Sequence, residues 1–148
     1  MPKPRSCTLL GCSFLLLALF FAPPALGEAD NAAATLVKRY VSLSNQRDYE
    51  GLMDIYVRAP EIVREGELMQ GEFAKNLKRD IEAWNEREAA FELVEMGEIE
   101  IQGDTATVPF TLRASGRYWF MRLSRTFSKE LHLVRRNDRW LIVKDITR

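Results

Sequence analysis

Ala89-Ala90-Phe91-Glu92-Leu93-Val94-Glu95-Met96-Gly97-Glu98-Ile99-Glu100-Ile101 is the stretch where the spacing of apolar residues changes. Just before it, Phe73, Leu77, Ile81 and Trp84 recur four, four and three residues apart, with Lys75, Lys78, Arg79 and Glu82 largely on the other sides. That is the one-sided stripe of an amphipathic helix, opening after Gly71 and stopping near Arg87. From Ala89 on the period is two, which predicts strands. Phe91, Leu93, Ile99 and Ile101 mark a long strand with Gly97 as a bulge, and Gly103-Asp104 turns the chain. Ala106, Val108, Phe110 and Leu112 then alternate with Thr105, Thr107, Pro109 and Thr111, and Pro109 assigns this strand to an edge or a bulge. Ser115-Gly116 breaks the pattern, Leu131, Leu133 and Val134 resume it, and Asn137-Asp138 makes a hairpin turn into a last strand, Trp140 to Thr147. A two-residue turn there sets Arg135 opposite Trp140, Leu133 opposite Ile142 and His132 opposite Val143.

Working upstream, Asp30 or Asn31 caps a helix whose Leu36, Val37, Tyr40 and Val41 share a face and which runs to Gln46. Asp48 caps a shorter one carrying Tyr49, Leu52, Met53 and Tyr56, ended by Ala59-Pro60. Glu61 to Met69 reads as a short extended hairpin around Gly66. The expected fold class is α+β, a cone-shaped, curved antiparallel sheet with three helices packed on one face.

The chain has 148 residues, 47% hydrophobic and 28% charged, which fits one globular domain and excludes collagen-like and wholly disordered classes. Twenty-one basic side chains balance 21 acidic ones, so no long-range field draws in nucleic acid, and none is expected as a partner. Lys3 and Arg5 precede an apolar run densest from Phe14 to Ala22, followed by Pro23-Pro24-Ala25-Leu26-Gly27. This is the layout of a secretory signal peptide over 1–27, with Ala25 and Gly27 as the small residues before the cut. An uncleaved anchor and lipidation at Cys12 in Leu9-Leu10-Gly11-Cys12 are the alternatives; the run is shorter than a bilayer needs, and a lipobox should follow it. Cleavage leaves a domain over 28–148, exported to the periplasm or secreted, that meets a membrane only during export. Cys7 and Cys12, the only cysteines, leave with the leader, so the domain has no disulfide and no thiolate.

From Leu36 to Thr147 the chain resembles the nuclear transport factor 2-like superfamily. The resemblance rests on Tyr40 through Asp48-Tyr49 to Tyr56, Gly71 opening the third helix, Gly103-Asp104-Thr105-Ala106 between strands, and the ending Asn137-Asp138-Arg139-Trp140-Leu141-Ile142. The superfamily's cone-shaped domain serves ketosteroid isomerases, SnoaL-like polyketide cyclases, dehydratases and noncatalytic binding modules. The resemblance implies a cavity between helices and sheet, and a sheet-to-sheet homodimer.

Tyr40, Tyr56, Trp84, Arg113 and Trp140 are the pocket candidates, each with a plainer reading as packing or surface. In members that move protons the resemblance implies a pocket carboxylate and a hydrogen-bond donor; Tyr40 or Tyr56 would be the donor and Asp54 or Glu61 the acid. No Asp follows the second helix, where Val57-Arg58-Ala59-Pro60 stands, so no catalytic residue is assigned. With His132 the one histidine, no histidine-rich metal site and no cofactor are expected. Arg117-Tyr118-Trp119-Phe120-Met121-Arg122 begins the least ordinary segment, continuing to Phe127, and reads either as aromatics closing the end of the sheet or as a partner-binding rim. The expectation is an exported, noncatalytic binding or assembly module of the bacterial cell envelope, holding a small apolar ligand or an envelope protein. The alternative is a small isomerase or dehydratase.

Overall fold

The computed structural model describes residues 26–148; the leader reading, with Cys7 and Cys12, lies outside the described residues. Helix α1 spans Leu26–Gln46, starting ahead of the expected cap at Asp30 or Asn31, and buries Leu36, Val37, Tyr40 and Val41, the stripe expected from their spacing, together with Ala29 and Ala33. It ends at Arg47, whose φ of 59° turns the chain while its guanidinium caps the carbonyl oxygens of Ser44, Trp84 and Ala89. Asp48 then caps α2 (Tyr49–Ile55) by accepting from the Gly51 amide at 2.9 Å. A Cβ at Gly51 would meet Asp48 Oδ2 at 2.5 Å and Leu43 Cδ2 at 2.6 Å, so a larger residue there would have to displace the capping carboxylate and the Leu43 side chain.

Strand β1 (Tyr56–Arg64) starts directly after α2, four residues before Pro60. Proline was expected to end the helix; pairing ends it first, because Tyr56 lies beside Ile142 in a parallel ladder. β1 returns as the short β2 (Glu67–Leu68), and α3 covers Phe73–Glu86. The remaining strands are β3 (Ala90–Met96), β4 (Glu100–Gln102), β5 (Thr105–Tyr118), β6 (Met121–Arg136) and β7 (Arg139–Thr147). Sheet order is β2-β1-β7-β6-β5-β3, with β4 also on β5. The sheet is open and mixed, antiparallel except where β1 joins β7, so the expected all-antiparallel sheet is corrected at that one pair.

The expected long strand from Ala89 is divided into β3 and β4 at Gly97, and Pro109 explains the division. Proline has no N–H for a partner on that side. The ladder skips the position, with the Gly97 amide donating to the Pro109 carbonyl at 2.8 Å. Pro109 therefore lies inside the sheet, opposite the gap, and not at an edge. The Asn45 side chain donates to and accepts from the Phe91 backbone, both at 2.8 Å, tying the end of α1 to β3.

Asn137-Asp138 forms a two-residue turn with φ of 49° and 59°. Arg135 faces Trp140 and Leu133 faces Ile142, as expected, but His132 faces Lys144 because a bulge absorbs Val143. The bulge reverses which side chains point inward: Trp140 and Ile142 are buried before it, Asp145 after it. On β6 the inward alternation of Leu133 and Leu131 continues without a break to Lys129.

Candidate ligand-binding site

Helix α3 leans on α2 and stands off the sheet, and the space left between them is a cavity of about 360 Å³. Its walls are apolar, from Leu52, Phe73, Leu77 and Trp84 on the helices to Leu112 and Phe127 on the sheet. Trp84 stacks edge-on against Phe91, and Tyr56 lies tilted against Phe73 with ring centroids 4.6 Å apart. Arg64 and Asp80 pair beside it.

At the sheet side of the lining, which also includes Arg64, Glu65, Asn76, Asp80 and Thr147, lies a buried four-residue polar cluster. Lys129 and Asp145, their side chains 8% and 6% exposed, form an ion pair with Nζ 2.7 Å from Oδ1. The Tyr56 hydroxyl donates to Asp145 Oδ2 at 2.7 Å, and Lys129 donates to the Tyr40 hydroxyl oxygen at 3.1 Å. Burial alone would depress the Lys129 ammonium, but the Asp145 carboxylate and the Tyr40 hydroxyl outweigh it and hold its pKa above the ordinary lysine value. Tyr56 is pushed well above the usual phenol range by burial first and by the Asp145 charge second; burial raises Tyr40 as well, against the pull of Lys129. Lys129 and the two tyrosines thus keep their protons at neutral pH.

Counting protons shows what the cluster lacks. Lys129 carries three N–H donors and each tyrosine one. Asp145 takes the Tyr56 proton on Oδ2 and faces the Lys129 charge on Oδ1, which accepts no hydrogen bond, and the Tyr40 oxygen takes one lysine proton. The Tyr40 O–H and two Lys129 N–H groups have no hydrogen-bond acceptor among the described residues. The buried cluster pairs one cation with one anion and keeps spare donors, which suits a neutral oxygen acceptor.

No protein-family model matches the chain, and neither does any curated protein. Solved structures do match it. An NTF2-like protein with a cystatin-like fold from Novosphingobium aromaticivorans is 20% identical, with 82% of each chain covered and a TM-score of 0.69. A ketosteroid isomerase-like protein from Erwinia carotovora atroseptica is 14% identical over 81% of this chain and 95% of its own, with a TM-score of 0.66. The fold is that of the nuclear transport factor 2-like proteins. A superfamily protein of that name from Salmonella enterica matches at a TM-score of 0.66 and 14% identity, covering 84% of this chain and 92% of its own.

Within this nuclear transport factor 2-like fold the sequence-derived residues separate. Tyr40, Tyr56 and Trp84 line the cavity. Trp140 does not; it is packed in the core with Arg135 over its ring. Arg113 is an exposed residue paired with Glu92 at 3.0 Å, outside the cavity. Asp54 lies on the surface between Arg39 and Arg139, and the Arg139 hydrogen bond in particular lowers its pKa. Glu61 is exposed and paired with Lys144. Both are corrected as acid candidates, since neither approaches the tyrosines. His132 is on the sheet beside Glu130. Arg117, Tyr118, Trp119, Phe120 and Arg122 stand exposed around the β5–β6 turn, so the aromatics do not close the end of the sheet.

Lys129 and Asp145 were missed by sequence reasoning. Lys129 had a signal, an ammonium placed in register with Leu131 and Leu133 on an inward-facing period of two. Asp145 had none, because without the Val143 bulge the inward residue would be Lys144.

Proposed function

We propose that this protein is an exported, noncatalytic binding module of the bacterial cell envelope, whose cavity takes a small, mostly apolar, neutral molecule bearing one carbonyl oxygen. The observation that carries the ligand class is the set of unused donors on Tyr40 and Lys129, facing the apolar wall of Leu52, Phe73, Leu77, Trp84, Leu112 and Phe127. Binding is favoured over proton transfer because Asp145, the one buried carboxylate among the described residues, is already engaged by Lys129 and Tyr56. Export is supported by the leader, and cutting after Gly27 retains the buried face of α1 from Ala29 onward. N-terminal sequencing of the protein from an exporting host should read Glu28 first; retention of Met1 would contradict it.

The ligand class is tested with 2-acetylnaphthalene and 2-isopropylnaphthalene, which share a shape and differ in the carbonyl. Fluorescence titration should show the ketone binding about tenfold tighter or more, a preference lost in Tyr40→Phe. Equal affinities would remove the carbonyl from the proposal.

The same two donors favour a second reading, a small isomerase or dehydratase in which they would steady an enolate oxygen while Asp145 takes the α-proton. The likeness to the ketosteroid isomerase-like protein is consistent with it. Enzyme-dependent exchange of the ketone's methyl protons in deuterated water, lost in Asp145→Asn, would select that reading; no exchange selects binding.

A further inference from the structure

The segment Tyr118–Leu123, at the tip of the β5–β6 hairpin, plays no part in the cavity. The last β3 pairing on β5 is at Ser115 and the last β7 pairing on β6 is at Lys129; past them the Arg117 amide still donates to the Arg87 carbonyl at 2.6 Å, and the hairpin continues free beyond that point. At its apex Trp119 is 80% exposed and Phe120 87%, with Tyr118, Met121 and Leu123 also largely open. Trp119 has a φ of 59°, a left-handed position that glycine, asparagine or aspartate fills at least cost. Turn formation therefore does not account for a tryptophan there.

Two rungs below the apex, past Tyr118 and Met121, Arg117 pairs directly with Arg122. Like charges opposite each other across two strands repel. Arg117 has Glu88 at 2.8 Å, whereas Arg122 has no carboxylate partner among the described residues. Further down, Arg125 reaches Glu65 and Arg113 reaches Glu92. From Thr105 to Lys129 the chain has no acidic residue; Lys129 is buried on Asp145, Arg113, Arg117 and Arg125 draw on glutamates outside the hairpin, and Arg122 alone keeps an uncompensated charge among the described residues. The apex projects about 7 Å beyond the arginine rung at ~3.3 Å per residue. Interfacial segments bury their apolar side to about 5–10 Å.

We infer that this arm docks the protein on an anionic lipid bilayer. Trp119 and Phe120 enter the boundary between headgroups and acyl chains, where amphipathic rings are favoured. Arg117 and Arg122 then lie level with the lipid phosphates, which replace their mutual repulsion with attraction. A convex two-residue apex offers little flat surface to a second copy or another protein, and the unpaired Arg122 guanidinium beside Arg117 selects acidic lipids over neutral ones. Lipid contact would then outlast export.

The test uses the full chain and vesicles of phosphatidylcholine with or without phosphatidylglycerol, so that residues 14–22 contribute equally in every variant. The parent should partition onto the mixed vesicles with its tryptophan emission quenched by brominated lipid. Trp119→Phe should keep the partitioning and lose the quenching, because Trp84 and Trp140 are away from the tip. Arg117→Gln with Arg122→Gln should lower the partition coefficient about 30-fold, about fivefold for each arginine near an anionic surface. Unchanged quenching in Trp119→Phe, or equal partitioning of the parent and the arginine variant, overturns the inference. So does a parent that sediments as a dimer, ignores vesicles, and becomes monomeric when Trp119 and Phe120 are replaced by serine.

Discussion

The two halves of the β5–β6 hairpin are built from the same kind of strand and serve opposite ends. In the embedded half, Ala106, Val108, Phe110 and Leu112 on β5 and Leu131 and Leu133 on β6 face the core in strict alternation, and Lys129 occupies the same inward row. In the free half, beyond Ser115 and Ser124, both faces meet solvent, and the largest apolar side chains of the pair are the most exposed. Alternation therefore marks burial only where something lies across the sheet. With α1 and α3 above it, a period of two makes a cavity wall; with nothing above it, the same strand geometry makes a presented surface.

Substitutions should divide along that line, and the largest effect belongs to the embedded half. Asp145→Ala leaves the Lys129 ammonium buried without its counter-ion and should cost about 3–5 kcal/mol in denaturant unfolding. A loss below about 1 kcal/mol would mean that water already reaches the pair. Gly97→Ala brings a methyl within 2.9 Å of the Pro109 ring, and the overpacking should cost about 1–3 kcal/mol, read by the same unfolding curve. Trp84→Ala should cost about 2 kcal/mol, less than the 3–5 of a fully buried aromatic, because the indole lines the cavity and does not fill the core. The free half should respond in the other direction. Trp119→Asn relieves the left-handed apex and should leave stability unchanged or raise it by about 0.5 kcal/mol while removing vesicle binding.

The smallest effect is one of pH. Tyr56 keeps its proton in the folded protein at pH values where the unfolded chain has lost its own, so folding stability is whole below the ordinary phenol pKa near 10 and falls as pH climbs toward the raised folded value. Tyr56→Phe should flatten that decline, and it should remove a late-titrating phenol from the absorbance curve. A Tyr56→Phe curve with the parent's alkaline slope would show that the hydroxyl is reached by water.

How far the sequence foretold this division depended on whether a feature was local. The changeover near Ala89, the Asp48 cap and the Asn137-Asp138 turn are set by neighbours in the chain, and the structure contains all three. The parallel union of β1 with β7 joins Tyr56 to Ile142, residues far apart in sequence with nothing local to announce the pairing. The cavity was legible in part: Tyr40 and Trp84 followed from helical stripes, and Lys129 was available from its place in the Leu131, Leu133 row. Asp145 was not, since a single bulged residue decides whether it or Lys144 turns inward. The acids chosen in its place, Asp54 and Glu61, stood near the right tyrosines in sequence and on the wrong side of the fold.

The account turns on whether the Tyr40 hydroxyl and the Lys129 ammonium offer their unused protons to whatever enters the cavity. Carbon-13 NMR of 2-acetylnaphthalene labelled at its carbonyl reports this directly. A bound signal shifted downfield of the free ketone in water, and returning upfield in Tyr40→Phe, is the expected result. A bound carbonyl that resonates as it does in hydrocarbon solvent, unaltered by Tyr40→Phe, would show that the cavity takes its guest by shape alone.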